Sequence, residues 1–332
     1  MRNIIVNAPT QNKEFSPDQK IGKVIPMFAA DWLRHNDESY SQSGAIDLWN
    51  NVLASEQKDH TSASYEAQSL LRISQKYDSL LLSATRIDNT STILTDSEPE
   101  FVSWAQDIIT ECVTDGSLRL ENHDVYVCDA CDATIAEATN PCTNGCASCK
   151  TMQVHIENRQ VLVSVINDQA EQRVDNATDT THQVHEERRT IVNRRRLNGI
   201  GLESIGFKDD VVDPRIGLGM LAIYAAEIRS ADQVDVVASR ATIRQNLPHF
   251  YAAIGDKADE LPDLRVRGIA KAPVEHIAYM QEQELLNLGK FQILMRHILP
   301  PALLSMKNDM SPQTLERLVF SRKDVGVLHK TK

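Results

Sequence analysis

The segment CDACDATIAEATNPCTNGCASC, Cys128 to Cys149, holds five of the six cysteines in a chain of 332 residues. It contains two Cys-x2-Cys pairs, Cys128/Cys131 and Cys146/Cys149, with 14 residues between them. A tetrahedral zinc site needs four soft thiolates converging at about 2.3 Å, and each pair offers two from one turn. Asn144-Gly145 supplies a tight turn just before the second pair. A redox role finds no thioredoxin-like βαβ setting around either pair, and cysteines merely buried together are the plainer alternative. Cys142 is left over and competes with Cys146 for the fourth ligand position. With four protein thiolates the ion has no open position, so it is expected to be structural and to hold a small insertion that lacks a core of its own.

On either side of this segment the pattern is different. Strand-like runs flank the cysteines directly, Val125-Tyr126-Val127 before and Val161 to Ile166 after. Upstream, Asn3 to Asn7 reads as a buried strand and Gly22 to Leu33 as a helix with apolar i, i+3, i+4 spacing. Ser39 to Ser62 reads as polar and loop-rich around one short helix. A helix is expected over Ser64 to Lys76, a strand over Tyr77 to Thr85, and a helix from Glu98 to Thr114 closed by Asp115-Gly116. Asn167 to Arg196 is the least ordered-looking stretch. Beyond it Val211-Val212, Gly219 to Arg229, Val234 to Ala238, Arg265 to Ala270 and Gln292 to Met306 resume the alternation. Alternating β and α on both sides of a different middle predicts one α/β domain with a Rossmann-like parallel sheet, interrupted by a zinc-knuckle connective insertion. The expected division is 1–118, 119–200 and 201–332.

Composition sets outer limits. The net charge of -11 gives no global basic signature for nucleic acid. No run approaches the roughly 20 apolar residues of a membrane span, and the first residues turn polar too soon for a signal peptide. A cytoplasmic protein with reduced thiols is the expectation, and nothing specifies an oligomeric state.

The order of these parts resembles the catalytic domain of class I aminoacyl-tRNA synthetases, in the methionyl, leucyl, isoleucyl and valyl branch. Ile4-Ile5-Val6-Asn7-Ala8-Pro9 resembles the family's first strand and Pro-containing loop. Lys20-Ile21-Gly22-Lys23 resembles its HIGH motif, keeping the central Ile-Gly with lysine at both histidine positions. Asp115-Gly116-Ser117-Leu118 and Val125-Tyr126-Val127-Cys128 resemble the entry into the family's zinc knuckle. Gly289-Lys290-Phe291 through His297 to Leu304 resembles a later family helix, with the histidine one residue off register and proline in place of tryptophan. The counterpart of the KMSKS loop is Leu328-His329-Lys330-Thr331-Lys332.

The resemblance implies ATP-dependent activation of an amino acid as an acyl-adenylate, with ATP and Mg2+ as cosubstrate and a tRNA end, a carrier protein or a small amine as acceptor. Pro9, Thr10, Lys20, Gly22 and Lys23 would then bind nucleotide. Lys20, Lys23, Lys330 and Lys332 would stabilise phosphate charge. Each has a plainer reading as a solvated charge. The alternative for the whole chain is a degenerate paralogue that senses an amino acid or nucleotide. Asp209, Asp210 and Asp213 are read as turn or capping residues, His297 as a core histidine, and Arg188, Arg189, Arg194, Arg195 and Arg196 as a solvated face beside the insertion.

Overall fold

The structure, a computed structural model, describes residues 2–7, 17–37, 40, 46–50, 90–96, 98–130, 132, 134–135, 153–178, 188–195 and 199–320. In chain order the elements are β1 (Arg2–Asn7), α1 (Pro17–Asn36), β2 (Ile46–Asn50), β3 (Thr90–Thr95) and α2 (Pro99–Thr114). The middle follows with β4 (Arg119–Cys128), β5 (Thr134–Ile135), β6 (Val154–Ile166), α3 (Asp168–Thr178), β7 (Arg188–Ile191), β8 (Asn193–Arg195), β9 (Gly201–Leu202) and β10 (Phe207–Val212). The last part comprises α4 (Pro214–Ile228), β11 (Gln233–Ser239), α5 (Arg240–Ile254), β12 (Asp263–Ile269), α6 (Val274–Glu282), α7 (Leu288–Ile293), α8 (Leu299–Ser305) and α9 (Pro312–Phe320).

β1 lies at the centre of a five-stranded sheet in the order β12-β11-β1-β2-β3, with every pairing parallel. Such a sheet is covered on both faces, so its strands carry near-continuous apolar runs. In β11 every residue from Val234 to Ala238 is buried. Side-chain alternation divides these residues between two cores. Val234, Val236 and Ala238 join Phe101, Ile109, Met220 and Phe250 of α2, α4 and α5. Val237 joins Met27, Phe28, Ile277 and Leu299 of α1, α6 and α8 on the other face.

The middle of the chain is antiparallel. β4 and β6 run in register from Arg119 opposite Val163 to Cys128 opposite Val154, within a sheet ordered β5-β4-β6-β7. β8, β10 and β9 form a separate three-stranded sheet. The ribbon is anchored at its base, where Leu162 N donates to Asn193 Oδ1 at 2.7 Å and Ser164 Oγ donates to the Ala252 carbonyl of α5. α3 starts beyond that anchor, with Asn167 Oδ1 accepting from Ala170 N at 3.0 Å.

Several expectations are corrected. α1 begins at Pro17, not Gly22, because proline suits the first helical position, where its missing N–H costs nothing. The stretch read as least ordered contains α3, β7 and β8. Within Ser39 to Ser62 lies the strand β2, and β3 has no counterpart in the sequence reading. The helix expected over Ser64 to Lys76 and the strand over Tyr77 to Thr85 lie outside the described residues. His297 is exposed and not in the core. It sits in a π-helical turn, Leu294–Ile298, between α7 and α8. Pro300 and Pro301 supply no N–H to the preceding turn, which widens where those bonds are missing.

Candidate functional site

β1 and β11 are neighbours, but the helices that follow them go to opposite faces. α1 packs on the Val237 side and α5 on the Val234 and Val236 side. The strand order therefore reverses between β1 and β11, and a crevice opens at their carboxyl ends, where open α/β sheets bind ligands. Asn7 closes β1 and Ser239 closes β11 on this edge, with α5 starting at the next residue, Arg240. The N-terminal ends of α1 and α5 both face this edge, and their unpaired amides favour negative charge.

Of the residues singled out from sequence, Lys20, Gly22 and Lys23 fall within about the first two turns of α1, the helix that rises from this crevice. Pro9 and Thr10, in the connection from β1 to α1, lie outside the described residues, as do Lys330 and Lys332. Cys128 ends β4 and is buried. Cys131, Cys142, Cys146 and Cys149 lie outside the described residues, and among those that are described no three His, Cys, Asp or Glu side chains group to hold a metal. Asp129 N donates to Gln153 O at 3.1 Å, so the two chain segments that lead to the remaining cysteines leave the ribbon side by side.

Sequence reasoning missed the cations of the edge. Arg240 Nη1 donates to the Lys307 carbonyl at 2.7 Å. Lys271, two residues past β12, donates its N–H to Asp309 Oδ1 at 2.9 Å and accepts from Met310 N at 2.9 Å. For Arg240 a basic residue just past the buried run of β11 was the available signal, since such positions lie on the ligand-binding edge of a parallel sheet.

The aspartates and arginines near the insertion form a structural network. Asp213 caps α4 by accepting from Arg215 N at 2.9 Å, and it pairs with Arg194 at 2.5 Å and with Arg215 at 2.7 Å. Burial pushes its carboxyl up, but the two guanidinium groups outweigh burial and hold it down at about 2. Arg215 Nη1 also meets His249 Nε2 at 2.9 Å, and Thr190 Oγ1 meets His249 Nδ1 at 2.7 Å. Because a guanidinium only donates, Nε2 accepts and the ring proton resides on Nδ1. Asp210 pairs with Arg159 and accepts from Asn193. Arg189 meets Glu121 at 2.6 Å and Arg195 meets Asp132 at 3.0 Å. Arg189, Arg194 and Arg195 therefore stand on strands, against acids, where a solvated face was expected. Arg196 lies outside the described residues.

A second buried charge, Asp235, accepts from Arg267 Nε at 3.2 Å, and burial together with Asp235 pushes the Tyr40 hydroxyl up. Asp235 is four residues before the end of β11, about 13 Å below the carboxyl edge. It belongs to the frame and not to the crevice.

No family model matches the chain, and no curated protein matches it in sequence. Among solved structures it is similar to the methionyl-tRNA synthetase of Mycobacterium tuberculosis. Against the apo form the TM-score is 0.57 at 11% identity, covering 95% of this chain and 65% of that one. Against the form bound by methionyl-adenylate it is 0.54 at 12% identity, covering 89% and 64%. The likeness is one of fold, and the chain spans less than two thirds of the synthetase's length. No helix among the described residues is long and apolar enough to cross a membrane.

Proposed function

We propose that the chain activates an amino acid with ATP, as a diverged class I synthetase-like catalytic domain, and passes the acyl group to a tRNA end. The observation that carries this reading is the reversal of strand order at β1 and β11, with Lys20-Ile21-Gly22-Lys23 on the helix that rises from it. In adenylate formation the amino-acid carboxylate attacks the α-phosphorus of ATP, and the bond to the bridging oxygen breaks. Pyrophosphate leaves with the electron pair, so charge grows on the departing phosphates and must be met by fixed cations. Lys20 and Lys23 supply two, and the first-turn amides of α1 add to them. Lys330 and Lys332 are proposed to close over the leaving pyrophosphate. Mg2+, when it accompanies ATP, neutralises part of the same charge. Pro9, Thr10 and Gly22 are proposed to line the nucleotide side.

The test is ATP–pyrophosphate exchange with each standard amino acid, on parent protein and on Lys20→Ala and Lys23→Ala. Exchange with one amino acid, lowered about 10²-fold by each substitution, is expected. A parent that exchanges with none, yet is raised in melting temperature by ATP or an amino acid, turns the reading to the sensing paralogue, for which the missing motif histidines speak.

We also propose that Cys128, Cys131, Cys146 and Cys149 hold a structural zinc at the tip of the β4–β6 ribbon, within the division 1–118, 119–200 and 201–332. Its support is the cysteine spacing, the burial of Cys128 at the ribbon's end and the side-by-side departure of the two segments at Asp129 and Gln153. Metal analysis is expected to find about one zinc per chain, lost in Cys131→Ser and kept in Cys112→Ser. Comparing Cys142→Ser with Cys146→Ser decides the fourth ligand. Zinc content unaffected by all of these substitutions would remove the site.

A further inference from the structure

The carboxyl edge of the sheet brings together Arg240, Lys271 and Lys307, from three segments far apart in sequence. Arg240 follows β11 directly, Lys271 stands two residues past β12, and Lys307 lies in the loop between α8 and α9. The bonds from Arg240 to the Lys307 carbonyl and between Lys271, Asp309 and Met310 fix their backbones to one another. Their charged heads are not consumed in doing so. Lys271 and Lys307 are exposed, and neither ammonium has a hydrogen-bond or ion-pair partner among the described residues. Arg240 spends Nη1 on a neutral carbonyl and keeps its full charge. Some arginines and lysines elsewhere are matched with acids, as Arg173 with Asp259, Arg195 with Asp132, and Lys257 with Glu111 and Glu260, while among the described residues Arg119 and Lys208 stand singly on the surface. Asp309, an acid of the same loop as Lys307, turns its carboxylate to the Lys271 backbone amide.

A fixed backbone under three cations that form no ion pair among the described residues, beside the switch-point crevice of a chain with net charge -11, concentrates positive charge at this edge. It attracts an anion more extended than a single carboxylate, because the three charges come from the ends of two adjacent strands and from a separate loop. We infer that Arg240, Lys271 and Lys307 form a polyphosphate-binding rim that takes the β- and γ-phosphates of a nucleoside triphosphate and the pyrophosphate left after transfer. The inference rests on the adenylation reading of the same edge. It adds three residues from the second half of the sheet to the lysines of α1, so that phosphate charge is met from both sides of the crevice.

The experiment is calorimetric titration of the 332-residue chain, at low ionic strength, with pyrophosphate, ATP and AMP. The variants are Lys271→Gln, Lys307→Gln and the pair together, chosen because neither ammonium makes a hydrogen bond or ion pair among the described residues. Each substitution is expected to weaken pyrophosphate and ATP about tenfold, the size of one lost charge-assisted hydrogen bond, and to leave AMP unchanged. Added salt is expected to narrow the difference. Equal pyrophosphate affinity in parent and double variant overturns the rim, and so does an equal loss for AMP. The two readings separate cleanly. Amino-acid-dependent exchange that survives in the double variant with unaltered pyrophosphate affinity defeats the rim alone. Absence of exchange, with pyrophosphate affinity still dependent on Lys271 and Lys307, defeats the adenylation reading alone.

Discussion

Asp213 shows how one buried carboxylate ties an insertion to its host. It accepts from the first turn of α4 and faces Arg194 of β8 and Arg215 of α4. Its folded value of about 2 lies below the ordinary 3.8, so its contribution is fully present above about pH 4 and is lost as pH falls through 2. The gap corresponds to about 2 kcal/mol. Asp213→Asn removes the charge and leaves two guanidinium groups facing each other, an expected loss of about 3–5 kcal/mol at neutral pH. Denaturant unfolding of parent and variant should show that difference shrinking between pH 4 and 2. A constant difference over that range would mean that the carboxylate's charge is not what the substitution removes, since asparagine keeps the cap. Cys112 is shaped by burial in the opposite sense, its thiol pushed up to about 12, so it stays protonated at neutral pH.

At the scale of elements, α4 and α5 approach closely through Gly219. A Cβ there would stand 2.3 Å from Phe250 Cγ in the next helix, too close for any small adjustment, since the atom met is in the body of a buried ring. At Gly217 in the same helix a Cβ meets nothing within 4 Å. Alanine improves helix propensity by about 1 kcal/mol at either position, but overpacking costs about 1–3 kcal/mol at the first alone. Thermal unfolding should therefore rank Gly217→Ala above the parent and Gly219→Ala below it. α2 was legible because Pro99 opens it and Gly116, at φ +86, closes it. β2 and β3 were not legible, because IDLWN and TSTILT are short and half polar and become strands only by pairing beside β1. β7, β8 and α3 were hidden for a related reason. Their stabilising partners, Glu121, Asp213 and Asp259, lie on other elements far along the chain.

For the whole molecule, the alternation of apolar runs predicted a parallel α/β body interrupted in the middle, and the structure has the parallel body; that the middle is antiparallel was not read from the sequence. The edge cations escaped sequence reading because nothing in the order of residues 240, 271 and 307 says that they meet. Only the strand order does. That order also has a consequence for synthesis. β1 pairs on one side with β2, within reach of the first crossover, and on the other with β11, whose Gln233 faces Arg2 about 230 residues later. At ribosomal rates that interval is roughly ten to fifty seconds. Throughout it one side of the central strand lacks its β11 partner, and in the last part of it, once Ile166 has been made, the β4–β6 ribbon emerges ahead of β11. The middle segment therefore has a start in folding, and in taking up the zinc proposed for it, before the parallel sheet around it can close.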